Sequence, residues 1–431
     1  MFRNGSRMTE PSVPQPRASM FAALANPSFA ALWAGTFLSN VGSWMHVTAS
    51  RVFVYDITSN ALLLGLDAFA SGAPMLLMLW GGVLADRFDR RKILIIGNAL
   101  AALNVAILAT LAFMDAVEVW HILTISLFNG VINALISPAN QALMPDLVDR
   151  SNLSNAIALN SVQFNVARVV GPAMAGVAYF WLGAGWCFAT NAVSFLALAV
   201  VLMTAAIKPT KPREPERLLP SLKKGLAFLD KRLDIKLIIG MAFFTALLAA
   251  PMQSMLPAYV KEVLDRPAEH YTYLVSAFGI GAVVGGLLLA ARERDPQPWK
   301  AGLSLTALAV AEIGLCVAGN FPMALILMVI VGMMQIGTMV RLGSATQHAV
   351  PGHLRGRIMS FQTLAFRLGM PIGSLVAGGI TAAMGEAHVA RIFLIYGSLL
   401  LVAISAIMLL RRRWQVHYVA ITDEEAELPE E

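Results

Sequence analysis

The sequence predicts an all-α membrane protein with twelve transmembrane helices in two six-helix bundles. Three observations carry the prediction. Of 431 residues, 57% are apolar and 13% charged, and the mean hydropathy is +0.67; a soluble domain carries charge on roughly a quarter of its residues. The charges are clumped, leaving charge-free stretches such as 93–114, 119–145, 313–340 and 392–410. Each is long enough to cross a hydrocarbon layer of ~30 Å, which takes about 20 helical residues. Finally, a set of polar positions in the first half of the chain recurs in the second. A transmembrane barrel would instead show segments of ~10 residues with alternating polarity.

The helices follow in order from the charge clusters that bound them. The first (30–55) and second (61–85) precede Arg87, Arg90, Arg91 and Lys92, and the third (92–114) and fourth (118–143) lie between that cluster and Arg150. The stretch 169–207 contains no Asp, Glu, Lys or Arg and is broken by Gly183-Ala184-Gly185, giving a fifth helix over 153–181 and a sixth over 184–207. A basic, Pro-containing loop follows over 208–234. The seventh (234–260) and eighth (271–291) flank Lys261 and Arg266, and the ninth (299–319) and tenth (322–346) lie between Arg292 and Arg355. The eleventh (355–384) and twelfth (388–410) follow, the twelfth with Arg391 in its first turn and ending at Arg411-Arg412-Arg413. The expected organisation is a disordered cytoplasmic lead (1–27), a bundle (28–207), a cytoplasmic linker (208–233), a second bundle (234–411) and an acidic cytoplasmic tail (412–431).

Counted by side, 25 of the 32 Lys and Arg fall on one face of the membrane, three on the other, and four (Arg51, Arg168, Arg341, Arg367) within helices. Short loops rich in Lys and Arg stay cytoplasmic, so both termini are expected there, with the chain in a bacterial inner membrane. The net charge of +6 is then an orientation signal and no sign of nucleic acid. The first 22 residues lack the apolar segment of a cleaved signal. Two cysteines, and seven histidines without H-x-x-x-H spacing, suggest no disulfide framework, metal or cofactor. No nucleophile–base arrangement, HExxH or GxxxxGK[ST] appears, which argues against an enzyme and against ATP as energy source. A central loop of 27 residues is too short for a sensor's output domain. A monomer handling a small molecule among lipids is the expectation.

The duplication is specific. Ala139-x-Gln141-x3-Pro145 is followed by Ser161-x-Gln163-x4-Arg168-x3-Pro172; Ala345-x-Gln347-x3-Pro351 is followed by Ser360-x-Gln362-x4-Arg367-x3-Pro371, at offsets of 206 and 199 residues. The fifth and eleventh helices are therefore equivalents, each with an Arg deep in the membrane. An Arg there is costly unless it faces protein or water, so both are expected to point into the bundle.

Between the second and third helices stands Gly81-Gly82-Val83-Leu84-Ala85-Asp86-Arg87-Phe88-Asp89-Arg90-Arg91-Lys92. It resembles the G-x-L-a-D-r-x-G-r-k signature of the major facilitator superfamily, whose two six-helix halves agree with the layout above. The resemblance implies that Gly82 lets the second helix approach the eleventh closely. It also implies that Asp86, with Arg91 and supported by Arg87 and Arg90, latches against the N-terminal end of the eleventh; Asp89 replaces the usual Gly. Arg168-x2-Gly171-Pro172-x3-Gly176 is similar to an element of the drug:proton antiporters, in which Gly and Pro bend the helix and permit tight packing. The first two helices, with Trp33, Gly35, Ser39, Asn40, Gly42, Trp44 and Asp56-x-Thr58-x-Asn60, resemble the exporter branch that includes enterobactin and macrolide efflux proteins.

That resemblance implies alternating access around a cavity lined by helices 1, 4, 7 and 10, with 2, 5, 8 and 11 beside them. Candidate lining residues are Asn40, His46, Asn133, Gln163, Asn165, Met252, Gln253, Met255, Gln335, Met339, Gln362 and Arg367. Asp67 and Arg168 are expected at similar depth. Either they couple, with Asp67 loading and releasing a proton, or they form a static ion pair. His46 is a proton-relay candidate or an ordinary satisfied polar residue, and Glu312 a structural or snorkelling carboxylate. The function implied is proton-coupled efflux of a drug-like molecule or siderophore, the alternative being uptake or flipping of a metabolite or lysophospholipid.

Overall fold

A computed structural model describes residues 22–149, 152–207, 218–292 and 298–413. Residues 1–21 of the expected lead, 208–217 of the linker and 414–431 of the tail lie outside the described residues. Every expected span is helical, with ends within three residues of the expected ones: α1 (Pro27–Thr58), α2 (Ala61–Gly72) continued by α3 (Met78–Arg87), α4 (Arg90–Phe113), α5 (Val119–Asp146), α6 (Leu153–Leu182) and α7 (Ala184–Thr204). After α8 (Leu218–Lys231) come α9 (Leu233–Phe244) continued by α10 (Met252–Glu262), α11 (Tyr271–Arg292), α12 (Pro298–Val317), α13 (Phe321–Ala349), α14 (Gly352–Met384) and α15 (Ala390–Arg413). Ten of these spans are long and apolar enough to cross a membrane. The protein is an all-helical, multi-pass membrane protein. α1 and α6, of 32 and 30 residues, fall outside that set.

Local chemistry sets the boundaries. Asn26 caps α1 by accepting from the N–H groups of Ser28 and Phe29, with Pro27 at the first helical position. Asn60, Asp89 and Asn320 cap α2, α4 and α13 in the same way. Gly183, at φ +87°, makes the break between α6 and α7 that the Gly-Ala-Gly stretch predicts. Two spans are interrupted mid-membrane. Pro74 sits in a 3₁₀ turn over Ala73–Leu77, and a π-turn over Thr245–Ala249 precedes Pro251 and α10. Proline removes a backbone donor and crowds the preceding turn, which accounts for both bends. The linker is not all loop: α8 lies in it, with Leu229 buried beside Ile358 and Phe361 of α14.

The packing partners are α1 with α6 and α7, α4 with α5 and α7, and α2 and α3 with α5. Further along, α11 and α12 pack with α13, α12 with α15, and α9 with α14. Two seams join early to late elements, α2 with α14 and α6 with α11. Both seams are closed by missing side chains. A Cβ on Gly65 would lie 2.4 Å from the Ser374 carbonyl oxygen, and one on Gly378 2.4 Å from that of Ala61; on Gly176 it would lie 2.4 Å from Thr272 Oγ1.

Candidate functional site

α1 carries a polar stripe along an otherwise apolar helix. Asn40, Ser43, Trp44, Val47, Ser50 and Arg51 recur at three- and four-residue intervals and line one wall of a central cavity of about 580 Å³. Across from them, α5 contributes Ser126, Asn129 and Asn133, α6 Phe164 and Arg168, and α11 Phe278. Gln253 of α10 donates to Gln335 Oε1 of α13 at 3.4 Å on the same wall.

The charged groups sit as follows. Asp67 is 5% exposed; its Oδ1 accepts the Ser126 hydroxyl at 2.6 Å, and the positive charge acting on it is that of Arg51. Arg51 donates from Nη1 to the Tyr271 hydroxyl at 3.2 Å, while its Nε is buried without a partner. The Arg168 guanidinium lies 4.5 Å from the Phe278 ring centroid and 5.6 Å from that of Trp44, again with Nε unpartnered. Asp67 and Arg168 therefore share the cavity but form no ion pair, so the static-pair alternative of the sequence reading is not what the structure holds. Asp67 faces α5, and Arg168 is turned towards the rings of α1 and α11.

Of the expected lining residues, Asn40, His46, Asn133, Gln253, Gln335 and Met339 reach the cavity wall. Gln163, Asn165, Met252, Met255, Gln362 and Arg367 do not. The reason is helical phase. On α6 the wall is Phe164 and Arg168, one turn apart, which turns Gln163 and Asn165 about 100° to either side; these two bond Asn160 Oδ1 and the Ser161 carbonyl instead. On α14 the wall is Phe366 and Met370, with Arg367 off that face and Gln362 one turn beyond it. Met252 and Met255 are core, 3% and 0% exposed. His46 lies with its ring centroid 5.0 Å from that of Phe188 and its Nδ1 buried without a partner. Glu312 is 1% exposed with neither carboxylate oxygen hydrogen bonded, so it does not snorkel. Sequence reasoning missed Arg51, Trp44, Ser126 and Phe278. Arg51, only four residues from the expected end of the first helix, did not meet the depth argument that selected Arg168.

The two ends of the cavity differ. At one end the Tyr55 hydroxyl donates to Glu262 Oε1 at 3.0 Å, the Ala61 N–H to Glu386 Oε1 at 3.0 Å, and Lys261 Nζ to Ser59 Oγ at 3.1 Å. Burial raises the Glu386 carboxyl above the usual carboxylate range; the Ala61 N–H opposes this, the charge of Glu262 adds to it, and Tyr55 opposes it. At the other end the expected latch is not formed. Asp86 makes no hydrogen bond or ion pair with any described residue, and a Cβ on Gly82 would meet nothing within 4 Å. Close approach at that end falls to Gly81, against the Ala134 carbonyl of α5. Arg91 instead caps α7, donating from Nε to Leu202 O and from Nη2 to Met203 O, each at 2.7 Å. Asp89 caps α4 through the Arg91 N–H, and Arg90 Nε donates to Ala85 O. Arg87 ends α3. In the antiporter-like element, Gly171 seats α6 under Trp44 of α1, Gly176 meets Thr272 of α11, and Pro172 lies within the helix.

Comparison with known proteins bears on this architecture. The family described as transmembrane secretion effector, within the major facilitator superfamily, matches residues 18–428. The enterobactin exporter EntS of Shigella boydii is 26% identical over 367 residues, covering 83% of this chain and 86% of that protein. The staphyloferrin A transporter of Staphylococcus aureus is 26% identical over 260 residues, 60% of this chain, which spans 65% of that relative's length. Among solved structures, an inward-facing bacterial homologue of the human lysosomal transporter Spinster aligns with a TM-score of 0.73 at 15% identity, covering 91% of this chain and 98% of that one. The POT family transporter PepTSo aligns at 0.73 and 12%, covering 91% and 99%.

Proposed function

We propose, for a chain that belongs to the transmembrane secretion effector family of the major facilitator superfamily, that it exports a siderophore-like or drug-like small molecule by proton-coupled alternating access. The observation that carries this reading is the asymmetry of the cavity. Hydrogen bonds between α1, α2, α10 and the turn at Glu386 tie one end shut, while Asp86 and Gly82 stand unengaged at the other. Such an arrangement is one of the two states that rocking of two bundles about a central site requires. All twelve spans cross the membrane in this reading, α1 and α6 included, because their polar faces look into the cavity and only their apolar backs meet lipid. Residues 28–207 and 234–411 form the two bundles. The 25-to-3 distribution of Lys and Arg supports a cytoplasmic side for both termini and the Asp86 end.

Asp67 is the proposed proton carrier. It is a buried carboxylate with one hydroxyl partner and the Arg51 charge beside it, an environment that changes sharply when water reaches the cavity. A deletion strain and an overproducing strain, screened against antibiotics and siderophores with and without a protonophore, test the function. Tolerance or export should rise with expression and collapse with the protonophore; unchanged export in all arms refutes efflux, and accumulation in place of export assigns uptake. Proton-driven transport that persists unchanged in Asp67→Asn removes that residue from coupling.

A further inference from the structure

Two arginines enter one cavity with donors to spare. Arg51 gives Nη1–H to the Tyr271 hydroxyl at 3.2 Å, Arg168 lies against the rings of Phe278 and Trp44, and the Nε of each is shielded from solvent with no acceptor. Their spacing is set twice over. Tyr271 and Phe278 are seven residues apart on α11, and Arg51 and Trp44 seven apart on α1. At 1.5 Å per residue both intervals hold the two guanidiniums roughly 10 Å apart along the cavity. Asp67 is the one carboxylate on the wall among the described residues, and it answers Arg51. At the Arg168 level there is none.

A buried charged donor without an acceptor is unfavourable, and an incoming anion removes the penalty. The guanidinium presents a planar fork that fits carboxylate two-to-two. Beside Arg168 the faces of Trp44 and Phe278 offer a surface for flat apolar rings. The geometry points to an acidic substrate: an elongated molecule bearing aromatic rings and two anionic groups roughly 10 Å apart, one seated on Arg168 and one on Arg51. The assignment rests on the cavity being the transport site and names the chemistry of its cargo.

The probe is para,para′-biphenyl dicarboxylate, whose carboxylates match that spacing, compared with its dimethyl ester and with biphenyl monocarboxylate. Binding is measured by titration calorimetry on the purified full chain in lipid nanodiscs. The dicarboxylate should bind and the ester should not. Arg168→Gln and Arg51→Gln should each weaken the dicarboxylate about tenfold or more, the range for a lost charged hydrogen bond. Arg168→Lys should recover part of the loss by keeping the charge without the fork, and the monocarboxylate should depend on one arginine only. Thermal unfolding of each variant separates lost binding from lost folding, and the acid–ester comparison on the unaltered chain needs no variant. Ester binding equal to acid binding, undiminished acid binding in both Gln variants, or no acid binding at all overturns the assignment. Because no export is read, any of these results leaves the transporter reading standing; absence of export with acid binding intact refutes that reading and spares the site.

Discussion

Replacing Gly65 by Ala should force open the Tyr55 end of the cavity. The added Cβ would lie 2.4 Å from the Ser374 carbonyl oxygen and 3.1 Å from Leu375 Cα, where ordinary contact begins at 3.4 Å. Backbone on α14 cannot rotate away as a side chain would, so α2 and α14 must part by about 1 Å. The neighbouring bonds from Tyr55 to Glu262 and from Ala61 to Glu386, both 3.0 Å, would then stretch beyond hydrogen-bonding range. Overpacking of this kind costs about 1–3 kcal/mol, which shifts the ratio of the closed to the opened arrangement roughly 5- to 150-fold. Nitroxide labels at the exposed Ile57 and at Arg266, in a chain with Cys187 and Cys316 replaced, report the separation across this end by double electron–electron resonance. The closed distance should lose population in Gly65→Ala. Gly42→Ala is the control, since its Cβ would strike Ser194 Oγ at 2.5 Å, between α1 and α7; it should lower thermal stability without shifting the distance. An unchanged distribution in Gly65→Ala, or an equal shift in Gly42→Ala, refutes the reasoning.

The same labels test pH dependence. Because the closed end raises the Glu386 carboxyl, it binds a proton more tightly than a hydrated, open end would; the closed population should therefore grow as pH falls and decline as pH rises through the raised value. Glu386→Gln should flatten that profile, with Glu262 and Tyr55 left in place beside it. Arg91→Ala removes the cap on the α7 carbonyls and should lower stability by about 1–2 kcal/mol, read as a fall in melting temperature. Asp86→Asn, at a group with no partner here, should leave that temperature unchanged while slowing transport through loss of the latch in the opposite state. Glu312→Gln should be neutral or stabilising, because it removes an ionisable group from an interior that offers neither oxygen a donor; a fall in stability there would show a hidden partner.

Span positions were legible because the bilayer imposes a length. Charge-free runs of about 20 residues have one use in such a chain, and the breaks at Gly183 and before Ala61 announce themselves by residue type. By the same arithmetic Arg168 and Asp67 are expected at one depth; both line the cavity, but Asp67 stands with Arg51 and not at the level of Arg168. Direction around the helix axis did not follow. Gln163 and Arg168 belong to one repeated motif, yet only Arg168 reaches the cavity, since the phase of α6 is fixed by Gly171 under Trp44 and Gly176 against Thr272.

Partners were the least legible feature of all. Asp67 takes Ser126, 59 residues away; Arg51 takes Tyr271, 220 residues away; and Arg91 serves the end of α7 in place of the expected latch. The duplicated Arg168 and Arg367 have parted, one on the cavity wall and the other off it. Composition and periodicity determine what a segment does with lipid, a solvent that is the same everywhere along the membrane. Which residue meets which is decided where helices touch, by glycines that let two backbones close and by rotations of a fraction of a turn, and only the assembled tertiary structure sets those.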